Sequence, residues 1–426
     1  MYAGKSPQLM RGPLAGPRGA DVFVAQDASG ALPPPPRQSG DAMTPLTCFV
    51  QLTRGRPLLL LLGAAFFLTV APPRAQGAQT GPRDRAAHHT FILPTFTFED
   101  GTTLPLTKVS YGTYGHLNSK KDNVILLPSS YMADHHDNDW LIGPGLALDT
   151  SRYYLVATEL FGNGHSSSPS NTPEPFHGPR FPRATIRDNV DAVHRLLVEE
   201  LGVTHLVAII GFSMGAEQAF QWAVSFPTFS DRIVALAGTA KCWPHGVVRL
   251  EAQIGAIAND PLFREGDYTV PPKQGLHLFG LVWAGWLTSQ EWWHKELWRG
   301  STWAPGDTFE AVLAFLSDSL FANLDANDLI LQARTWERHD VGTTRGFQAD
   351  IERALRTIRA HVLYMPVETD LYFPVSDARY EARFIPNVDF TPIPSLWGHV
   401  AGGGAEVAAR RFINEKVSAF LERATP

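Results

Sequence analysis

Cysteine is nearly absent: Cys48 and Cys242 are the only two in 426 residues, and neither stands in a C-x-x-C pair or a Cys/His ligand spacing. A disulfide framework and a structural zinc site are therefore not expected. The chain also has no block of lysine or arginine. With a formal net charge of -6 it carries no electrostatic footprint for nucleic acid, and that class of partner is set aside. The apolar run at residues 58–70 is too short for a comfortable membrane span. What is present, 44% apolar and 18% charged residues, is the composition of an ordinary soluble catalyst, enough for one large α/β domain or two smaller ones.

The N-terminal stretch differs in kind. Residues 1–42 are rich in Gly, Pro and Ala, with four prolines at Pro33 to Pro36, and have little to bury, so a disordered extension is expected. Residues 43–78 read as an export signal: Arg54 and Arg56 precede the apolar run 58–70, and Ala75-Gln76-Gly77-Ala78 offers small residues suited to cleavage. An uncleaved anchor is the alternative. Met43 lies at a natural distance upstream of such a signal, which suggests that the preceding segment is an extension from an incorrect start. Periplasmic or secreted localisation follows as an expectation. N-terminal sequencing of the mature protein checks it, since a chain beginning upstream of Leu58 would exclude cleavage.

From about His89 the pattern changes to short β-rich runs. Residues 91–98 and 106–111, separated by Asp100-Gly101, read as opening antiparallel strands. Runs at 124–127, 153–157, 206–210, 232–237 and 360–367 alternate with helical patterns such as Ile186, Val190, Val193, Leu196 and Leu197, which predicts a mainly parallel sheet. The long segment between the last two runs carries Trp283, Trp286, Trp292, Trp293, Trp298 and Trp303. It reads as an insertion whose aromatics either line a pocket or simply pack helices. The expected organisation is a core over residues 79–240, a helical cap over 241–345 and the rest of the core over 346–426.

The most informative pentapeptide is Gly211-Phe212-Ser213-Met214-Gly215. It follows an apolar strand and precedes an Ala-rich helical pattern bearing Ala219, Phe220, Trp222 and Ala223. A G-x-S-x-G turn alone is weak evidence, but strand, sharp turn and helix together make Ser213 a candidate nucleophile. Serine needs a base to take its proton and a carboxylate to orient that base. In an open parallel sheet these partners lie just beyond strand ends. Asp370 and His399 occupy such positions, and the chain order Ser, Asp, His is that of an α/β hydrolase. Asp340 and Asp389 are rivals for the acid with poorer loop positions, and His361 opens a strand and reads as structural. The oxyanion donors are expected to be the backbone N–H of Met214 and that of Ser130, with Ser129 as fallback, because Pro128 has no N–H. Downstream, the stretch from Asp134 to Asp139 looks like a metal cluster. Adjacent histidines such as His135 and His136 rarely converge on one ion, and the Asp and Asn residues suit a helix start, so neither metal nor cofactor is expected.

From about residue 90 to the end, the chain resembles the homoserine O-acetyltransferase branch of the α/β-hydrolase superfamily. The matching stretches are residues 143–149, 161–169, 178–182 with 185–189, the elbow, residues 259–268, Asp325-Ala326-Asn327, and the Asp370 and Gly398-His399 ends. The resemblance implies an α/β-hydrolase fold, with a mainly parallel central sheet, helices on both faces and a helical cap insertion. It also implies an acyl-enzyme at Ser213 and a homodimer through the cap.

Three departures bear on the substrate. The branch usually reads Gly-Gly-Ser-Met-Gly-Gly at the elbow, whereas Phe212 and Ala216 stand here, which should narrow the pocket floor. Its members that act on homoserine carry Gly-Leu-x-x-Ala-Arg in the cap, whose arginine grips a carboxylate; here the segment is Gly275-Leu276-His277-Leu278-Phe279-Gly280. Losing that pair removes about 1.5–3 kcal/mol of charge-assisted hydrogen bonding unless Arg249 or Arg334 compensates. Finally, export would separate the protein from acetyl-CoA but not from water. The expected function is an exported serine hydrolase acting on a small-molecule ester or related acyl bond. The alternative is an acyl-CoA-dependent O-acetyltransferase, and a non-catalytic binding protein is the third hypothesis.

Overall fold

The computed structural model describes residues 86–423, so the expected extension (1–42) and export signal (43–78) lie outside the described residues. The first two strands are β1 (Ala87–Thr97) and β2 (Thr103–Tyr114), antiparallel to each other and joined by a tight turn at Asp100-Gly101. Gly101 there takes φ 86°, a left-handed conformation that glycine adopts without steric cost. The other strands are β3 (Val124–Pro128), β4 (Tyr154–Thr158), β5 (Ala208–Phe212), β6 (Arg232–Leu236), β7 (His361–Met365) and β8 (Val388–Phe390). The sheet order is β1-β2-β4-β3-β5-β6-β7-β8; β2 pairs antiparallel with β4 and all later pairings are parallel. The central strands read as continuous apolar runs because both faces are covered.

The helices between these strands are α1 (Ile186–Arg195), continued by a π-helical turn over Leu196–Glu200, and α2 (Met214–Ser225). Thr185 and Asp188 begin α1 with a reciprocal capping box: the Thr185 hydroxyl accepts from the Asp188 N–H at 3.1 Å, and the Asp188 carboxylate accepts from the Thr185 N–H at 2.8 Å. Between β6 and β7 come α3 (Pro244–Ala258), α4 (Lys273–Leu287), α5 (Gln290–His294), α6 (Phe309–Ala314), α7 (Ala326–Glu337) and α8 (Ile351–Leu355), followed after β7 by α9 (Val375–Ala382) and α10 (Val407–Leu421). One face of the sheet packs Val190, Phe220 and Trp222 of α1 and α2; the other packs Ile413, Val417 and Phe420 of α10. Within the insertion, Ile257, Phe263, Leu276, Phe279, Phe321 and Leu329 form a smaller apolar cluster of their own.

Two sequence readings shift. The elbow strand begins at Ala208, not Leu206, because Leu206 makes only an isolated bridge to Ser230 and the ladder runs on to Phe212. The stretch 134–139 does not start an α-helix. It gives a single 3-10 turn, Asp139–Leu141, whose Asn138 cap makes no side-chain bond. The Asp134 carboxylate accepts instead from the His136 N–H at 2.8 Å, an Asx turn in competition with helix.

The order of strands reverses between β3 and β5: β4 lies on one side of β3, and β5, next in the chain, on the other. Loops leaving the carboxyl ends of β3 and β5 diverge there, which opens the crevice where ligands bind in such sheets.

Candidate active site

Ser213 sits directly after β5 with φ 57° and ψ -123°, a strained conformation for a residue with a side chain. The surrounding glycines are required by close approach. A Cβ on Gly211 would stand 2.0 Å from the Gly215 carbonyl oxygen, and one on Gly215 would stand 2.4 Å from that of Pro128.

Asp370, Ser213 and His399 are brought together in one hydrogen-bonded line. His399 Nε2 lies 2.9 Å from Ser213 Oγ, and His399 Nδ1 lies 2.8 Å from Asp370 Oδ2. All three are buried, with Ser213 only 3% exposed. Asp370 Oδ1 accepts from the Tyr372 and Phe373 N–H groups at 2.7 and 3.2 Å, so the carboxylate is fixed on both oxygens. A carboxylate can only accept; the proton therefore belongs on Nδ1 and the Nε2 lone pair faces the serine hydroxyl. The rivals are committed elsewhere, Asp340 to Lys241 at 2.8 Å and Asp389 to Arg423 and His361.

The His399 ring is enclosed by aromatics, of which the sequence reading singled out Phe212 alone. Phe212 stacks on it at 4.8 Å between centroids, and Tyr372 and Phe373 meet it at a tilt, at 4.9 and 5.5 Å. The expectation that Phe212 and Ala216 narrow the pocket floor is corrected for Ala216. Phe212 backs the histidine and packs against Gly402 and Gly403, while Ala216 is fully buried behind the elbow, where a Cβ on Gly238 would come within 2.6 Å of its methyl. The adjacency of Tyr372 and Phe373 to Asp370 was the available signal.

The second oxyanion donor also needs correction. The Ser130 N–H is taken by Asp137 Oδ2 at 3.2 Å and the Ser129 N–H by the Thr158 carbonyl at 2.9 Å, so neither is available to a substrate. Desolvation raises the pKa of the Asp137 carboxyl, against the hydrogen bonds from Ser130. Tyr131 supplies the next amide in this loop, and among the described residues it donates to no acceptor. The Tyr131 side chain is tied to the insertion, its hydroxyl donating to the Leu329 carbonyl at 2.8 Å and its ring stacking on Trp283 at 5.2 Å. Met214, the other expected donor, is the first residue of α2, where helix N–H groups have no intrahelical partner.

The tryptophans of the insertion divide between the two roles considered for them. Trp283 joins the aromatic shell through Tyr131 and Tyr372, whereas Trp292 and Trp298 are buried in packing. Gly280 could not carry the branch arginine, since a Cβ there would lie 2.1 Å from the Ser317 carbonyl oxygen. Gly280→Arg is therefore expected to lower the melting temperature by several degrees, about 1–3 kcal/mol of overpacking, without creating homoserine acetylation. A thermal scan beside an acetyl-CoA assay checks both parts. Arg334 is paired with Glu251 and Glu337 at 2.6 and 2.5 Å. Arg249 differs: it is buried, donates from Nη1 to Gln253 at 2.6 Å, leaves Nε and Nη2 without a partner, and lies 3.9 Å over the Tyr372 ring. Burial lowers its pKa from the usual value.

Residues 123–402 match the α/β-hydrolase fold family, and the chain belongs to that family. It is an enzyme of the hydrolase or acyl-transfer kind. The chain is 36% identical over 315 residues to an ethyl acetate hydrolase of Pseudomonas veronii, covering 72% of this chain and 88% of that protein. It is 31% identical over 328 residues to the homoserine O-acetyltransferase of Haemophilus influenzae, covering 71% and 90%. Among solved structures, an acetylester hydrolase from Corynebacterium glutamicum superposes with a TM-score of 0.76 at 32% identity, over 79% of this chain and 96% of that one.

Proposed function

We propose that the protein is an exported serine esterase that hydrolyses short-chain acyl esters through an acyl-enzyme. The observation that carries this reading is the line Ser213–His399–Asp370, with contacts of 2.9 and 2.8 Å. Ser213 Oγ attacks the ester carbonyl while His399 Nε2 takes its proton, and Asp370 holds the imidazolium that forms. The tetrahedral oxyanion is received by the Met214 and Tyr131 N–H groups. Collapse expels the alkoxide, to which His399 returns the proton, leaving an acylated Ser213. Water then attacks this ester with His399 again as base, and the acid leaves as the serine is restored.

Hydrolysis is favoured by the likeness to an ethyl acetate hydrolase and an acetylester hydrolase, together with a cap position at Gly280 that has no room for a carboxylate-binding arginine. The export reading rests on residues 43–78 alone. Acyl transfer to an alcohol is the second reading. It draws on Arg249, whose unpartnered nitrogens beside Tyr372 offer an anion a buried donor.

A paired assay on protein lacking the first 78 residues tests the choice. Ethyl acetate in water is expected to be hydrolysed, and acetyl-CoA with homoserine to release little CoA. Alcohol-dependent CoA release faster than ester hydrolysis would overturn the esterase reading.

A further inference from the structure

Away from Ser213, three imidazoles meet where the start of β1 crosses the loop after β3. His88 comes from β1, and His135 and His136 from the loop. The ring centroids are 4.7 Å apart for His88 and His135, 5.6 Å for His88 and His136, and 4.4 Å for His135 and His136. One ring nitrogen from each can be chosen so that all three lie within 4.8 Å of one another.

The outer contacts of two of these rings are those of metal ligands. His135 Nδ1 lies 2.5 Å from Glu159 Oε1, and His136 Nδ1 lies 2.9 Å from Asp139 Oδ2. Carboxylates accept, so each Nδ1 carries the proton, and in the neutral ring Nε2 presents a lone pair, the arrangement in which an outer carboxylate orients a ligating histidine. His135 Nε2 is buried and has no hydrogen-bond partner, and the His135 side chain is only 10% exposed. Its ring packs against β2 at Gly112, where a Cβ would come 2.3 Å from His135 Cδ2. A buried acceptor without a donor costs about 1–3 kcal/mol, and a cation would remove that cost. His88 is exposed, which leaves the cluster reachable from solvent.

We propose that His88, His135 and His136 form a site for a divalent transition cation, with Zn²⁺ the best match for three neutral imidazoles. The adjacent pair argued against a site in the sequence because neighbouring histidines rarely converge on one ion; here a third imidazole comes from a distant strand. The bound cation ties β1 to the loop that carries Ser130 and Tyr131.

The test uses untagged full-length protein stripped with chelator and titrated with ZnCl₂, followed by metal analysis and thermal scanning. The chain has 15 histidines, so the variants decide the location of binding. The wild type is expected to bind one equivalent at micromolar affinity or better, with a Zn²⁺-dependent rise in melting temperature. His88→Ala and His136→Ala, at exposed and half-buried positions, should each bind at least tenfold more weakly and lose the rise. Absence of a stoichiometric equivalent in the wild type, or wild-type affinity in both variants, would overturn the proposal.

Discussion

Ser213→Ala is expected to lower kcat for a short-chain aryl ester by about 10⁴–10⁶-fold and to abolish labelling by a fluorophosphonate. The reason is local. Ser213 Oγ lies 2.9 Å from His399 Nε2, and among the described residues no other hydroxyl is hydrogen-bonded to that nitrogen. The backbone of the elbow is held by packing of Gly211, Gly215 and Gly238, which alanine at position 213 leaves unchanged, so the fold and the melting temperature should persist. Steady-state kinetics with the aryl ester supplies the check. Activity within tenfold of the wild type would remove Ser213 from the reaction.

Asp370→Asn is expected to cost about 10⁴-fold in kcat at neutral pH with little change in thermal stability. The carboxylate serves two directions at once, with Oδ1 accepting from the Tyr372 and Phe373 amides and Oδ2 accepting from His399 Nδ1. In asparagine the amide oxygen is needed by the two N–H groups, which turns the NH₂ toward His399. A donor there forces the proton onto Nε2, and the imidazole then donates to Ser213 when it should accept. The substitution therefore separates tautomer control from packing, since shape and volume are nearly preserved. A variant with near wild-type kcat would show that another acid orients the histidine. Asp340 and Asp389 are poor substitutes because Lys241 and Arg423 already hold them.

The same contrast marks what was legible in the sequence. Strands β3 to β7 are apolar runs because both sheet faces are covered, and the first two strands are punctuated by a Gly turn, so their existence follows from local pattern. The Ser213 turn announces itself because one pentapeptide must be small on both sides of a strained residue. Asp370 and His399 could be ranked above their rivals because loops after parallel strands share one edge of the sheet.

Availability of a backbone N–H was not legible. Ser130 and Tyr131 are equivalent by position, and only the fold of residues 130–137 shows Asp137 taking the first and leaving the second. Nor could the neighbours of Phe212, Ala216 and Gly280 be read. Their partners, at positions 399, 238 and 317, are far away in the chain, and no periodicity records such contacts.

The sequence by itself determined the class of fold, the chain order of the three buried side chains, and the chemistry open to them, since these depend on residue type, hydrophobic period and turn geometry within short windows. Only the tertiary structure decided which amides of the loop after β3 are already taken, what encloses His399, and that a histidine of β1 meets two from that loop. Those outcomes depend on the packing of segments distant in the chain, and the free energy of such packing belongs to pairs of surfaces that no single stretch of sequence contains.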